Sequence, residues 1–150
     1  MMRLKRTDSS NEDFKLLIQD LDNDLLSRYE ERQAAYDQYN IIENNPHVLV
    51  AYTDDVPVGC GCFKAFDDQS VEIKRMYVKP EYRRRGIAGL ILDALEKWAA
   101  ELHVAAAVLE TGNKQTEAIR LYKKSGYIVI ENYGPYRNMP ESICMRKSLD

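Results

Sequence analysis

The sequence has few cysteines, no long apolar run and no excess of positive charge, and each absence excludes a class of protein. The three cysteines, Cys60, Cys62 and Cys144, are odd in number, and C-G-C has neither zinc-site nor C-x-x-C redox spacing. We therefore expect small buried thiols in a reducing compartment, and a cytoplasmic protein. No apolar stretch reaches the about 20 residues of a membrane span, and no apolar signal region follows the basic N-terminus.

The overall charge is slightly acidic, but basic residues are concentrated in one segment. The net charge of −3 argues against a nucleic-acid partner, because such domains usually carry a strong basic footprint. Between Glu72 and Arg85, however, six basic residues face two acidic ones. This local excess favours a small anionic ligand over a polymer.

Length and composition are those of an ordinary globular protein. A chain of 150 residues with 45% apolar and 30% charged residues is expected to form one domain, spanning 1–150. His47 and His103 have no partners at metal-ligand spacing, so we expect no metal.

Hydrophobic periodicity predicts an α/β (α+β) chain in the order β-α-α-β-β-β-α-β-α-β-β. The helices are predicted from about Asn11, from Glu30 to about Tyr39, up to about Leu102, and over 114–126. A hairpin turns at Thr53 to Val56, and the strand after it alternates strictly, with Val71, Ile73, Arg75 and Tyr77 sharing one face.

A glycine turn lies between that strand and the third helix. A helix N-terminus presents unpaired N–H groups and a partial positive charge, and glycine lets a ligand approach closely. The stretch R-R-R-G-I-A, 83–88, therefore predicts a pyrophosphate site, with arginines available for further phosphates. The glycine patterns of P-loop and dinucleotide-binding proteins are absent.

Two motifs resemble those of the GCN5-related N-acetyltransferases (GNAT). Arg83-x-x-Gly86-x-Ala88, after a strand and opening a helix, is similar to the family's Q/R-x-x-G-x-G/A signature, and E-A-I-R-L-Y-K-K-S-G-Y, 117–127, is similar to its A-x-x-L-Y-x-x-x-G-F/Y segment. The resemblance implies a GNAT-like fold, a central mixed, mostly antiparallel sheet of about seven strands with about four helices. It also implies acetyl-CoA as co-substrate, and homodimers are frequent in the family.

The resemblance places the coenzyme on particular residues. The strand end would bind pantetheine through its main chain, with the next strand splayed away near Val108 to Glu110, and the glycine turn would bind pyrophosphate. Gln115 stands where the family often has asparagine, and Tyr122 matches the tyrosine near the coenzyme sulfur, a general acid. The coenzyme-binding residues are thus Met76, Tyr77, Val78, Arg83, Arg84, Arg85, Gly86, Ile87, Ala88, Gly89 and Gln115.

Acetyl transfer to an amine needs a neutral nucleophile, a polarised carbonyl and a proton for the thiolate. The Val78 N–H is a candidate to polarise the thioester carbonyl. Glu72, or else Glu110, is the candidate base, and a structural ion pair with a neighbouring cation would explain either residue equally well. Tyr122 has a competing interpretation as a core tyrosine.

The acceptor site is expected beside the tyrosine-rich loop before the last strand. Tyr133, Tyr136 and Arg137 lie there, and Arg137 could hold the carboxylate of an amino-acid-like amine. A loop packed by its own tyrosines would explain the same residues at least as well. The leading interpretation is direct transfer of acetyl from acetyl-CoA to a primary amine of a small molecule or peptide in a ternary complex. The alternatives are a non-catalytic acetyl-CoA-binding regulatory module and, less favoured, a nucleic-acid binder.

Overall fold

The computed structural model describes residues 1–28 and 44–150. Its strands are β1 (Met2–Thr7), β2 (Val48–Thr53), β3 (Val56–Ala65), β4 (Ser70–Val78), β5 (Ala106–Gly112), β6 (Ile128–Ile130) and β7 (Ser142–Ser148). Its α-helices are α1 (Glu12–Arg28), α2 (Ile87–Glu101) and α3 (Thr116–Lys124). The helix predicted from Glu30 to about Tyr39 lies outside the described residues.

The strands form one seven-stranded sheet in the order β1-β2-β3-β4-β5-β7-β6. The β4–β5 pair is parallel, and the other five neighbouring pairs are antiparallel. A parallel pair needs a crossover, and α2 provides it between β4 and β5. The predicted mixed, mostly antiparallel sheet is therefore confirmed, and so is the element order across the described residues, which hold three α-helices where about four were expected.

Helices α2 and α3 cover one face of the sheet. Ile91 and Leu95 of α2 are fully buried against β3, where Gly59 and Gly61 take the place of side chains. A Cβ added to Gly61 would lie 2.9 Å from Leu95 Cδ1, so this helix approaches the strand at a distance that excludes larger residues. The glycines of G-C-G-C thus serve helix packing.

Helix α1 covers part of the opposite face. The Asn11 side chain accepts a hydrogen bond from the Phe14 N–H at 2.9 Å, which caps the helix where the sequence predicts its start. Phe14, Leu17 and Leu21 then pack on the same side of the sheet as Cys60 and Cys62. All three cysteines are buried free thiols.

Candidate active site

The two parallel strands at the centre of the sheet separate part of the way along their length. Their pairing begins at Ser70 and Ala106 and ends at Ile73 and Leu109. Beyond that point β4 continues to Val78 and β5 to Gly112, with a cavity lined by both strands, α1 and α3. The separation predicted near Val108 to Glu110 is thus present.

A bulge in β4 lies at the point of separation. Cys60 pairs with Tyr77 and Cys62 with Lys74, so β4 holds one residue more than β3, and Arg75 adopts a φ of +57°. The bulge reverses the alternation of faces. The strict alternation expected from the sequence is therefore wrong beyond Lys74, since Val78 packs with Val71 and Ile73 under α2, and Tyr77 packs on the α1 side.

The end of β4 directs main-chain groups toward the open edge. The Lys79 N–H donates to the Val58 carbonyl at 2.9 Å. Because consecutive residues of an antiparallel strand alternate sides, the N–H and carbonyl of Val78 point away from β3. Arg83 Nε donates to that carbonyl at 2.8 Å, and its guanidinium lies 5.6 Å from the Tyr77 ring centroid. Arg83 therefore fastens the loop to the strand end.

The turn that opens α2 has the backbone its sequence requires. Gly86 is the N-cap, with φ 79° and ψ 7° in the left-handed region, and Arg84 has a φ of 66°. A Cβ on Gly86 would meet no atom within 4 Å, so the space above the turn is open. The first-turn N–H groups, from Ile87 to Gly89, have no partner within the helix and lie at its positive end.

Helix α3 contributes Tyr122 to the cavity wall, and Gln115 at its N-cap also lies there. Burial raises the pKa of the Tyr122 hydroxyl, and the nearby Glu110 carboxylate raises it further, so this phenol remains protonated at neutral pH. Its ring packs edge-on against Tyr127 at 5.9 Å. Gln115 Oε1 accepts hydrogen bonds from the Gly112 N–H at 3.0 Å and from Thr111 Oγ1 at 3.1 Å, which close the β5–α3 turn.

The two candidate bases lie in the same cavity, on opposite strands. Glu72 and Lys74 of β4 are both buried, and their charged atoms are 3.9 Å apart. Burial raises the pKa of Glu110 on β5 to about 7, against the lowering effects of a hydrogen bond with Ser142 and of the Lys74 charge. Burial also lowers the pKa of Lys74. Glu72, Lys74 and Glu110 therefore line the same cavity, two carboxyl groups with an amine beside them.

The tyrosine-rich loop covers this end of the cavity. Tyr133 donates its hydroxyl hydrogen to Glu72 Oε2 at 2.7 Å, and Tyr136 is buried and lines the cavity. Arg137 is exposed and is not part of the cavity wall. The loop predicted for the acceptor therefore brings two of its three residues to the site.

Sequence reasoning missed several residues of the cavity wall, among them Lys74 of β4 and Leu21 and Leu25 of α1. A signal for Lys74 exists in the sequence, because Glu72 and Lys74 alternate with apolar residues in a strand of otherwise buried pattern. The leucines carry only the ordinary helical spacing of a packed face. Nothing local distinguishes them from core residues.

The described residues form neither a cluster suited to a metal ion nor a helix suited to cross a membrane. Across residues 1–28 and 44–150, no cluster of three or more His, Cys, Asp or Glu side chains is arranged to hold a metal ion. In the same ranges, no helix is both long and apolar enough to cross a membrane. His47 stacks on Phe63 with ring centroids 4.7 Å apart, as part of the packing beneath Trp98.

A sheet whose single parallel pair separates beside a glycine turn is the architecture of an acyltransferase, and comparison with known proteins identifies the family. Residues 14–127 match the acetyltransferase (GNAT) family. An IAA acetyltransferase of Azospirillum brasilense is 35% identical over 136 residues, which cover 89% of this chain and 88% of that protein. The chain belongs to the GNAT family of acetyltransferases.

Solved structures agree with this assignment. A candidate acyl-CoA N-acyltransferase from Klebsiella pneumoniae aligns over 100% of this chain and 99% of its own, with a TM-score of 0.84 and 27% identity. The PaiA N-acetyltransferase of Thermoplasma acidophilum, solved with coenzyme A, shares the fold with a TM-score of 0.72 and 19% identity, over 99% of each chain. The predicted fold, enzyme class and acetyl-CoA dependence are confirmed at the level of the family.

Proposed function

We propose that this protein transfers the acetyl group of acetyl-CoA directly to a primary amine of a small molecule or peptide, in a ternary complex. The observation that carries the proposal is the cavity between the separated ends of β4 and β5. The donor end lies beside this cavity and consists of Met76–Val78, which adjoins the cavity wall at Met76, and the turn Arg84–Gly89. The acceptor end consists of the wall residues Glu72, Lys74, Glu110 and Tyr136, with Tyr133 bound to Glu72.

The donor end suits coenzyme A through its main chain. The open edge of β4 can pair with the amide groups of pantetheine as a strand would, with the Val78 N–H directed toward the thioester carbonyl. The N–H groups at the start of α2 suit the pyrophosphate, and Arg84 and Arg85 add positive charge. We retain Gln115 as a pantetheine contact through its amide nitrogen, since its oxygen closes the neighbouring turn.

The acceptor end suits the amine. Glu110, with a pKa of about 7, is the better-matched base at neutral pH, because it is substantially deprotonated there yet binds a proton readily. Glu72, held by Tyr133, orients the ammonium before it is deprotonated. This assignment exchanges the order of preference that the sequence suggests for the two residues.

The chemical step follows from these positions. Glu110 takes a proton from the ammonium, the neutral amine attacks the thioester carbonyl, and the oxyanion is stabilised by the Val78 N–H. The carbon–sulfur bond then breaks as Tyr122 supplies a proton to the departing thiolate. The second proton of the attacking nitrogen returns to the Tyr122 phenolate, and Glu110 releases its proton to solvent. Three buried free thiols suit a reducing compartment, so we place this reaction in the cytoplasm.

Calorimetry and product analysis test the proposal. Acetyl-CoA and coenzyme A should bind and NAD should not, and a panel of amines should release free thiol with formation of the N-acetyl product. Binding without acetylation of any amine would favour the regulatory module. Failure of acetyl-CoA to bind would overturn the proposed donor site.

A further inference from the structure

A second cavity lies beside the acceptor end, on the same face of the sheet. Ser70 of β4 and Val108 of β5 line this second cavity, and each is two residues before a carboxylate of the first, Glu72 or Glu110. Alternate residues of a strand point to one face and are about 7 Å apart. The two cavities are therefore neighbours along both strands.

The ring of Tyr133 lies between the two cavities. Tyr133 lines the second cavity, and its hydroxyl donates to Glu72 Oε2 in the wall of the first at 2.7 Å. Its ring packs edge-on against Phe66 of the second wall at 4.8 Å and against Tyr136 of the first wall at 5.8 Å. Tyr133 is thus held by the walls of both cavities, as a partition between them.

The two cavities differ in size. The first has a volume of about 100 Å³, part of which the acetyl thioester must occupy, and the second has about 450 Å³. A cavity of about 150 Å³ holds one benzene molecule, and pockets for larger ligands measure roughly 300–1,000 Å³. The first cavity therefore accepts an amine with only a few further atoms, whereas the second has room for a ring.

The second cavity is suited to an uncharged, apolar group. Val108 and Ile130 contribute apolar wall. Asp67 of the same wall accepts a hydrogen bond from Ser70 Oγ at 2.6 Å. This bond, and to a smaller extent the charge of Arg146, lowers the pKa of Asp67. The carboxylate is thus engaged within the protein, and the apolar wall remains for a ligand.

We infer that Tyr133 is a specificity-determining residue that restricts this enzyme to compact primary amines, because its ring closes the acceptor end against the second cavity. The inference rests on the proposed function, and it names the class of amine. The hydroxyl and the ring have separate tasks, since the hydroxyl holds Glu72 and the ring limits the length of the acceptor. Removal of the ring joins the cavities and admits an amine with an aromatic body.

The test compares a short amine with a long one. Ethylamine and 4-phenylbutylamine are assayed with wild type, Tyr133→Phe and Tyr133→Ala, and the quantity compared is the ratio of kcat/KM for the long amine to that for the short one. Y133F keeps the ring and should keep the low ratio of wild type, although it loses the hydrogen bond to Glu72. Y133A should raise the ratio about 10- to 50-fold, because the phenyl group is then buried against Val108 and Ile130.

Refilling the second cavity should reverse this gain. Ile130→Trp in the Y133A background places a large ring in the cavity and should return the ratio toward the wild-type value. Ile128→Trp in the same background is the matched control, since Ile128 lies on the same strand, is 65% exposed and is not part of the cavity wall. This control should keep the raised ratio.

The outcomes separate this inference from the proposed function. Turnover of the long amine by wild type at a rate equal to that of the short one overturns the role of Tyr133 and leaves the acetyltransferase intact. An unchanged ratio in Y133A that still binds acetyl-CoA by calorimetry does the same, as does a ratio raised equally in Y133F. Acetylation of no amine at all overturns the proposed function itself.

A second variant decides the matter should Y133A not fold. Phe66→Ala removes a ring that is 41% exposed and packs on Tyr133, so the fold should tolerate it. Loss of this support should loosen the partition and raise the ratio severalfold. An unchanged ratio in F66A would then overturn the inference.

Discussion

The donor end and the acceptor end of the cavity are built from different parts of the polypeptide. The donor end presents main-chain groups, at the open edge of Met76–Val78 and at the turn before α2, and its geometry is fixed by Gly86 and the Arg75 bulge. The acceptor end presents side chains, and these come from β4, β5 and the loop before β7.

This difference explains why a short sequence motif can predict the donor end but not the acceptor end. Main-chain N–H groups are the same for every residue, so the sequence at the donor end needs only to set backbone angles and leave space. At the acceptor end each side chain carries its own chemistry, and the sheet register decides which of them meet. Substitutions at the donor end should therefore weaken acetyl-CoA binding, and substitutions at the acceptor end should impair turnover or acceptor binding.

The largest effect should come from a change at the donor end, Gly86→Asp. Aspartate would place a negative charge in the open space above the turn, within reach of the pyrophosphate, and would occupy a φ of 79° that only glycine adopts freely. Repulsion of a few kcal/mol predicts an acetyl-CoA affinity lower by about 1,000-fold. Calorimetry measures this directly.

Gly134→Asp is the matched control at the acceptor end. Gly134 also has a positive φ, of 52°, and open space at its Cβ position, so the strain and the added charge are similar. Acetyl-CoA should bind this variant with wild-type affinity. Equal losses in both variants would show that backbone strain, and not the charge above the turn, accounts for the G86D result.

The next largest effect should come from Tyr122→Phe, which removes a proton donor between the two ends. Turnover should fall by about 100-fold, the low end for loss of a general acid, with acetyl-CoA affinity unchanged. Pre-steady-state rates and calorimetry separate the two quantities. An unchanged rate would make Tyr122 a core residue.

Tyr127→Phe controls for the loss of a buried hydroxyl. Tyr127 contacts Tyr122 and donates to Glu96 Oε2 at 3.0 Å, in a cluster that also includes Lys147. Removing this hydroxyl should destabilise the protein by about 1–3 kcal/mol because the carboxylate loses a partner. Turnover at a temperature where the variant is folded should stay near wild type.

A smaller effect, about tenfold at pH 8, is expected for Glu110→Gln in turnover of an amine acceptor, because acceptors can also enter the site already neutral. In the wild type, activity should rise as pH increases through about 7, where Glu110 loses its proton, and level off above. E110Q should lack that rise, and Glu72→Gln should keep it. A rise that persists in E110Q would assign the base elsewhere.

The raised pKa of Glu110 also means that this residue lowers the stability of the folded protein at high pH. Its pKa is raised on folding from about 4.5 to about 7, so its contribution to stability is full below pH 4.5 and is lost as pH increases through 7. E110Q should therefore unfold at a higher temperature than wild type at pH 8. At pH 5 the difference should be smaller, which thermal melts at the two pH values can establish.

The donor end and the order of strands and helices could be predicted from the sequence, but the register of β4 could not. Gly86 and the helix after it indicate an anion site by local rules alone, and the order of strands and helices follows from hydrophobic period. The bulge at Arg75 has no such signal, because an extra residue in one strand becomes visible only against the register of its partner. The face that each residue beyond Lys74 presents is therefore set by a register that the sequence pattern does not reveal.

The smallest effect is expected for substitution of Arg137. Comparison with a substitution of Tyr133 tests which of the two residues belongs to the acceptor end. Arg137→Ala should change kcat/KM by less than about twofold, as is usual for an exposed side chain outside the site. Tyr133→Phe removes the 2.7 Å hydrogen bond to Glu72 and should raise KM for the acceptor by about tenfold, with acetyl-CoA binding unaffected. Both are measured with the same amine at saturating acetyl-CoA. If R137A instead raised KM more than Y133F, the acceptor would bind outside the cavity, along the exposed loop. The assignment of the acceptor end to the cavity would then be wrong.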